Sequence, residues 1–235
     1  MGIEDNDYTK MQKKGYAVGV YQKSVDEAMA GRRSTGDHFT SLNEMEDMHE
    51  YLFKGVPEGG CALDFGCGPG RAIVKYRDRF ARIDGVDISK QNIVKAKEYL
   101  EWAEVPVNNL WVNNGVDLQN VPSNTYDVVY AIQTMIHIGV YDIRRSLLEE
   151  MYRVLKPGGW VCIQMGYGAS NNSKMARYYE NKWDAPETNG RYGANVTSPS
   201  QPQTDLEEIG FTNFSYDLRD MTWNHPQWIY FRGKK

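Results

Sequence analysis

Asp64, Gly66, Gly68, Gly70, Asp87 and His137 are the residues whose types and spacing could do chemistry. A short apolar run, Cys61-Ala62-Leu63, ends in Asp64, and glycines follow at the alternate positions 66, 68 and 70. This is the pattern of a buried strand opening into a turn against which a ligand must lie. Glycine permits positive φ and lets the backbone approach a ligand with no Cβ in the way. A helix after such a turn offers free N–H groups at its start. Two ligands suit this turn, a dinucleotide or an adenosyl group. The dinucleotide fingerprint wants G-x-G-x-x-G; counted from Gly66, its third glycine falls where the chain has Arg71. The spacing here is G-x-G-x-G instead. Asp87 follows Gly66 by 21 residues, near the place of a ribose-binding acid in dinucleotide folds, so this spacing alone leaves NAD open.

The elements that must position these residues alternate between strand-like and helix-like from about residue 60 to 165, as in a parallel sheet with helical crossovers. The first strand is expected at 61–65, with a helix from Gly70 to Phe80. Arg82–Asp87 reads as a second strand ending on another acid. Ser89 suits the N-cap of a helix whose apolar positions Ile93, Ala96 and Leu100 repeat with helical period. Val107–Val112 is a third strand. Tyr126–Ile132 is a continuous apolar fourth, suited to burial on both faces. Leu147, Leu148, Met151, Val154 and Leu155 mark a helix face, Pro157-Gly158-Gly159 stops that helix, and Trp160–Gln164 is a fifth strand. Phe211–Leu218 and Gln227–Phe231 read as an antiparallel hairpin around Asn224-His225-Pro226.

Two regions lie outside this rhythm. Residues 1–55 are expected to form a helical cap over the strand ends, carrying Tyr8, Tyr16 and Tyr21. Residues 166–205 are rich in Gly, Asn, Ser and Pro yet keep Tyr178, Tyr179, Trp183 and Tyr192. A polar loop that keeps aromatics is pinned to something. The division expected is a cap or lid at 1–55 and a ligand-binding domain at 56–235, with 166–205 as an insertion.

At 235 residues the chain has room for one large α/β domain or two small ones. No run of apolar residues is long enough to span a bilayer. The first residues are acidic and lack an apolar core, which argues against a signal peptide. Three cysteines without zinc-type spacing imply neither a disulfide framework nor a metal site, and a cytoplasmic location is expected. Net charge is −4, and the basic pairs are scattered, which argues against duplex nucleic acid as a partner.

Four segments in register carry a resemblance. Leu63-Asp-Phe-Gly-Cys-Gly-Pro-Gly70, Gly85-Val-Asp-Ile-Ser89, Tyr126-Asp-Val-Val129 and Leu155-Lys-Pro-Gly-Gly-Trp160 resemble the successive motifs of the class I, Rossmann-like S-adenosylmethionine-dependent methyltransferases, in their small-molecule, type 11-like branch. The likeness covers about residues 60–165, with an echo at Glu208-Ile-Gly-Phe211. It implies a doubly wound, seven-stranded, mostly parallel sheet in three α/β/α layers, an antiparallel C-terminal hairpin and a helical N-terminal cap. The implied cofactor is S-adenosyl-L-methionine, leaving as S-adenosyl-L-homocysteine. The backbone at Gly66, Cys67, Gly68 and Gly70 would pass close to its methionine and ribose parts. Asp64 would hold the loop and favour the ammonium, Asp87 would take the ribose, and Ile88 would pack on the adenine. Gly115 and Val116 would meet the adenine edge, with Asp117 either joining them or only forming the local turn. Ala131 and Gln133 would line the methionine portion.

Methyl transfer from a sulfonium is an in-line displacement driven by positioning in a water-poor site, and needs a base only where the acceptor must lose a proton. His137, just past the fourth strand, is placed for that role, or else only packs within its own turn. His38, His49 and His225 are less well placed. The D/N-P-P-Y/F motif of the relatives that methylate nucleobases and glutamine is missing; Ala131-Ile-Gln-Thr134 stands there. Tyr16, Tyr21, His137, Trp183 and Tyr192 are then the expected acceptor-side residues. The expected function is methyl transfer to an O or N atom of a small molecule. RNA or protein acceptors, a non-catalytic cofactor-binding role and a nicotinamide oxidoreductase are the other readings.

Overall fold

A computed structural model of the chain describes residues 7–16, 25–26, 29–30, 48–169, 175–181, 193–220 and 227–235. The strand expected at 61–65 is there as β1 (Cys61–Phe65), and its alternation sets the layers. Ala62 faces one side of the sheet with Val128, Tyr130, Ile73, Tyr99 and Leu100. Leu63 and Phe65 face the other with Val129, Ala131, Leu147, Met151 and Leu206. A strand buried on both faces must be nearly all apolar, so Asp64 is the exception.

Helices α1 (Asp7–Tyr16) and α2 (Met48–Leu52) precede β1. After it come α3 (Arg71–Tyr76), β2 (Arg82–Asp87), α4 (Lys90–Trp102), β3 (Leu110–Val112) and β4 (Tyr126–Ala131). A 3-10 turn at Met135–His137 leads to α5 (Tyr141–Val154) and β5 (Leu155–Tyr167). The chain ends with β6 (Met175–Arg177), β7 (Gly193–Val196), α6 (Ser200–Ile209), β8 (Thr212–Asp220) and β9 (Gln227–Lys234). Ser89 caps α4 as its type predicts, its hydroxyl accepting the Asn92 amide.

Three boundaries differ from expectation. The helix after the glycine turn stops at Tyr76, and β3 begins at Leu110. The helix expected to stop at Pro157 ends at Val154, and β5 runs straight through Pro157-Gly158-Gly159. That stretch has left-handed Gly158 and no pairing to β4 between Leu155 and Trp160, where the register shifts. A register shift of this kind accepts proline and glycine within a strand.

Among the described residues the sheet has nine strands. Seven follow the order β3-β2-β1-β4-β5-β9-β8, with β9 antiparallel to both neighbours and the rest parallel. This is the doubly wound sheet with an antiparallel C-terminal pair, and helices flank it on both faces. Two strands are additional, and both lie in the 166–205 region expected as a loop. β9 pairs along one edge of β5 from Trp160 to Tyr167. On the other edge β4 pairs up to Ile163, and β7 takes over at Gly166 and Tyr167. β6 then pairs with β7. The insertion therefore continues the sheet beyond the C-terminal end of β4. A Cβ at Gly193 of β7 would lie 2.9 Å from the Ile136 carbonyl, so β7 packs closely on the 3-10 turn.

One buried cation joins the N-terminal segment to the C-terminal pair. Arg232 of β9, 2% exposed, donates to Ser215 Oγ (3.1 Å), to the Tyr51 carbonyl of α2 and to Asp217 Oδ2 (2.5 Å). Lys54 takes the other Asp217 oxygen at 2.6 Å. Burial alone would raise the Asp217 carboxyl; Lys54 and Arg232 hold it below its ordinary value. Removing one member of a buried pair strands the other. Arg232→Ala is expected to lower unfolding free energy by about 3 kcal/mol in urea titrations; a loss below about 1 kcal/mol would contradict this clamp.

Candidate functional site

The strand order reverses between β1 and β4, and open α/β sheets form their ligand crevice at such a switch. A cleft of about 1070 Å³ lies there. Its floor is the glycine turn, with Gly66, Gly68 and Gly70 at φ 76, 53 and 86. The three glycines are needed for different reasons. A Cβ at Gly66 would come within 2.3 Å of both Thr134 Cγ2 and Oγ1, so the end of β4 closes directly on the turn. A Cβ at Gly68 would meet nothing within 4 Å; this residue faces open space in the cleft. Gly70 caps α3 and packs toward Leu100 and Ala96 of α4, away from the cleft.

Asp87 closes β2 beside the turn. Its Oδ2 accepts the Gly68 amide at 2.9 Å, and its Oδ1 accepts the Ser89 amide at 2.8 Å and Asn92 Nδ2 at 3.2 Å. Burial holds this carboxyl above its ordinary value, and those three donors oppose the rise only in part. A carboxylate offers about four lone-pair sites, so Oδ2 keeps one for a further donor at the cleft. Asp64 is more exposed to the cost of burial. It is 2% exposed, and its Oδ2 has no hydrogen-bond partner. Burial first, then the Asp87 charge, push it well above the ordinary aspartate value; Tyr130 and Arg71 oppose them. Burial and then the two acids raise the Cys67 thiol, which sits against Gly85 of β2.

At the far end Ile88 faces Gly115, whose added Cβ would lie 2.6 Å from Ile88 Cδ1. Three residues expected with them do not line the cleft themselves. Val116 is in the core, and its amide, like that of Asp117, donates to Asn114 Oδ1. The Asp117 carboxylate accepts the Gln119 amide, forming the local turn. Ala131 is fully buried beneath the cleft rather than lining it. Gln133 and His137 do line it. His137 donates its amide to the Thr134 carbonyl, so the 3-10 turn fixes its backbone.

Sequence reasoning missed Gln12, Thr134, Asn92 and Asn113 as lining residues and placed Tyr8 only generally in the cap. Tyr8 and Gln12 are one helical turn apart on α1, the spacing of a shared face, which was the available signal. The Tyr8 hydroxyl accepts Gln12 Nε2 (2.7 Å) and the Gly139 amide (3.0 Å), and Gln12 also donates to the His137 carbonyl (3.0 Å). Burial pushes the Tyr8 phenol up to about 12, so it stays protonated. α1 thus roofs the cleft. Tyr16 ends α1, but its side chain, like all of Tyr21, Trp183 and Tyr192, lies outside the described residues, as do His38 and His225 and the His49 side chain.

A reversed parallel sheet, a glycine turn and two acids at the ends of neighbouring strands meet in one cleft at the switch point. Residues 63–163 match the family described as "Methyltransferase domain". A sterol 24-C-methyltransferase of Aspergillus fumigatus is 36% identical over 141 residues, 53% of this chain and 35% of that protein. A probable methyltransferase of Aspergillus luteorubrus is 36% identical over 117 residues, 46% of this chain and 41% of that one. The chain therefore spans less than half the length of these relatives. Among solved structures, geranyl diphosphate C-methyltransferase from Streptomyces coelicolor, bound to Mg²⁺, geranyl diphosphate and S-adenosyl-L-homocysteine, superposes with TM-score 0.65 over 99% of both chains at 14% identity. Haemonchus contortus phosphoethanolamine N-methyltransferase 2, with S-adenosylhomocysteine, gives 0.62 over 93% of this chain and 60% of that one at 16% identity. These two show the fold. Over residues 63–163 the chain is therefore similar to methyltransferase domains, and over about half its length to the two curated methyltransferases.

The raised Asp64 carboxyl has a measurable cost. The folded protein keeps a proton that the unfolded chain releases above about pH 3.8, so the group's support is intact below that pH and is lost as pH rises through the folded value. Asp64→Asn is expected to raise Tm above wild type near pH 7.5 and leave it close to wild type near pH 4. Thermal unfolding across this range is the check; a destabilised variant at neutral pH would contradict it.

Proposed function

We propose that the protein transfers a methyl group from S-adenosyl-L-methionine to an oxygen or nitrogen atom of a small-molecule acceptor. The observation that carries the cofactor is the pair of acids around open Gly68: Asp64 with an unmatched buried oxygen, and Asp87 with a spare acceptor site. A ligand with one ammonium and two ribose hydroxyls supplies the missing donors. Asp87 would receive the ribose, Gly66–Gly68 would run along the ribose and amino-acid parts, and Ile88 with Gly115 would border the base. Gly70, Val116, Asp117 and Ala131 would act by shaping the turn and the floor. The cofactor's own contribution is an electrophilic methyl on a sulfonium.

The protein's part is then positioning and exclusion of water. α1 covers the cleft through Tyr8 and Gln12, and Thr134 seals the end of β4 against Gly66. His137, at the mouth beside β4, would take the proton an oxygen or nitrogen acceptor loses. Tyr16, Tyr21, Trp183 and Tyr192 would complete the acceptor side. A small acceptor fits the scattered charge of the chain, which builds no basic groove for nucleic acid. Among the described residues no helix is long and apolar enough to cross a membrane; a cytoplasmic location is part of the same proposal.

A carbon acceptor is the second reading, favoured by the sterol 24-C-methyltransferase relative. The same histidine would then remove a proton from the carbon skeleton after methyl addition.

Calorimetry with S-adenosylhomocysteine should show saturable binding by the wild type and about a tenfold or greater loss in Asp87→Ala, one charge-assisted hydrogen bond being removed. Binding of NAD in its place would overturn the reading. Methyl-labelled cofactor incubated with metabolite extracts should label a small molecule on oxygen or nitrogen, and His137→Ala should slow that turnover about a hundredfold or more. A label on carbon would select the second reading; an unchanged rate would remove the base.

A further inference from the structure

Gln164 breaks the logic of the strand that contains it. Val161, Cys162, Ile163 and Met165 around it in β5 are apolar and buried, as a central strand covered on both faces requires. Gln164 is equally buried, at 0% exposure. Placing a primary amide there is unfavourable unless its hydrogen bonds are made. They are made, and one goes to the cleft. Gln164 Oε1 accepts the backbone amide of Gln133 at 3.2 Å, while Nε2 donates to the Tyr230 hydroxyl of β9 at 3.4 Å.

The bonded partner is itself unusual. β4 pairs with β5 only as far as Ala131 opposite Ile163. Beyond that point the main chain leaves the sheet, and Gln133 turns to φ 52. A glutamine, which unlike Asn or Asp has no short side chain to bond its own backbone, gains nothing from the left-handed region, which disfavours any Cβ. Such conformations persist where surrounding structure over-determines them, and they cluster at functional sites. Gln164 is the group that does so here, its side chain replacing the ladder bond that β4 gives up. The result is a Gln133 that lines the cleft immediately before Thr134 and the 3-10 turn of His137.

We infer that Gln164 is a positioning residue: it holds Gln133 in its left-handed conformation so that the Gln133 amide is presented to the amino-acid end of the bound ligand. This rests on the cofactor reading above. It adds a residue that touches no ligand and a reason for an amide inside a hydrophobic strand. The Gln133 NH₂ is a donor suited to a carboxylate, as the unmatched Asp64 oxygen is an acceptor suited to an ammonium.

The test separates the two ends of the ligand. Calorimetry is run with S-adenosylhomocysteine and with 5′-methylthioadenosine, which has the adenosyl thioether but no amino-acid end. Gln164→Leu is expected to weaken S-adenosylhomocysteine about tenfold and leave methylthioadenosine unchanged. Gln133→Ala should do the same, and the double variant should be no weaker than either single change. Equal losses for both ligands, additive losses in the double variant, or wild-type affinity in Gln164→Leu would each overturn the assignment. A wild type that binds methylthioadenosine but gains nothing from the amino-acid end overturns it while sparing the adenosyl site; a wild type that binds neither overturns the cofactor reading itself. Should Gln164→Leu fail to fold, the wild type supplies the readout: the Gln133 backbone amide should be protected from hydrogen exchange, and an amide exchanging at the free-chain rate would refute the bond.

Discussion

The Asp87 carboxylate accepts the Gly68 amide with one oxygen and the Ser89 amide and Asn92 side chain with the other. The end of β2, the first turn of α4 and the glycine turn after β1 are therefore held by one group. Backbone bonds from Gly66 and Cys67 to the Val86 carbonyl and from Gly70 to Cys67 hold the ends of the turn, and Asp87 fixes Gly68 between them. The open face of Gly68 is thus aimed at the cleft. The rest of the site is arranged around that fixed turn: Thr134 closes on Gly66 from β4, Ile88 follows Asp87 toward Gly115, and α1 is laid across the top.

That arrangement places two acids in one buried cleft. Three donors offset part of the cost of burying Asp87, whereas Asp64 bears its burial and the Asp87 charge as well. A protein that keeps an uncompensated acid gives up stability in the empty state, and the usual physical reason is a ligand that supplies the missing charge. The same accounting applies to Gln133 and Gln164, where a left-handed backbone and a buried amide are tolerated together at the end of β4. Unfavourable local choices thus gather on two sides of one cleft.

The sequence-legible part of the molecule is the part governed by short-range rules. The apolar runs of β1, β2 and β4, the Ser89 cap and the glycine turn follow from period, capping and φ, and all are present. β6 and β7 were not legible, because Met175–Arg177 and Gly193–Val196 are short and mixed and become strands only where β5 extends past β4. Residues 155–160 were misjudged because proline and glycine usually end elements, whereas here they sit at a register shift. The roof was hidden for another reason. Tyr8 and Gln12 reach Gly139 and His137 across 131 and 125 residues, and no local pattern announces a bond of that range. Gln164 did break the apolar run of its strand in plain view, but its meaning depended on knowing where β4 ends.

The most direct measurement is a crystal structure of the protein with S-adenosylhomocysteine. A ribose hydroxyl is expected on Asp87, the amino-acid end between Asp64 and Gln133 above Gly66 and Gly68, and the adenine beside Ile88 and Gly115. A ligand bound elsewhere, or one in this cleft whose ammonium lies far from Asp64 and whose ribose leaves Asp87 untouched, would contradict it.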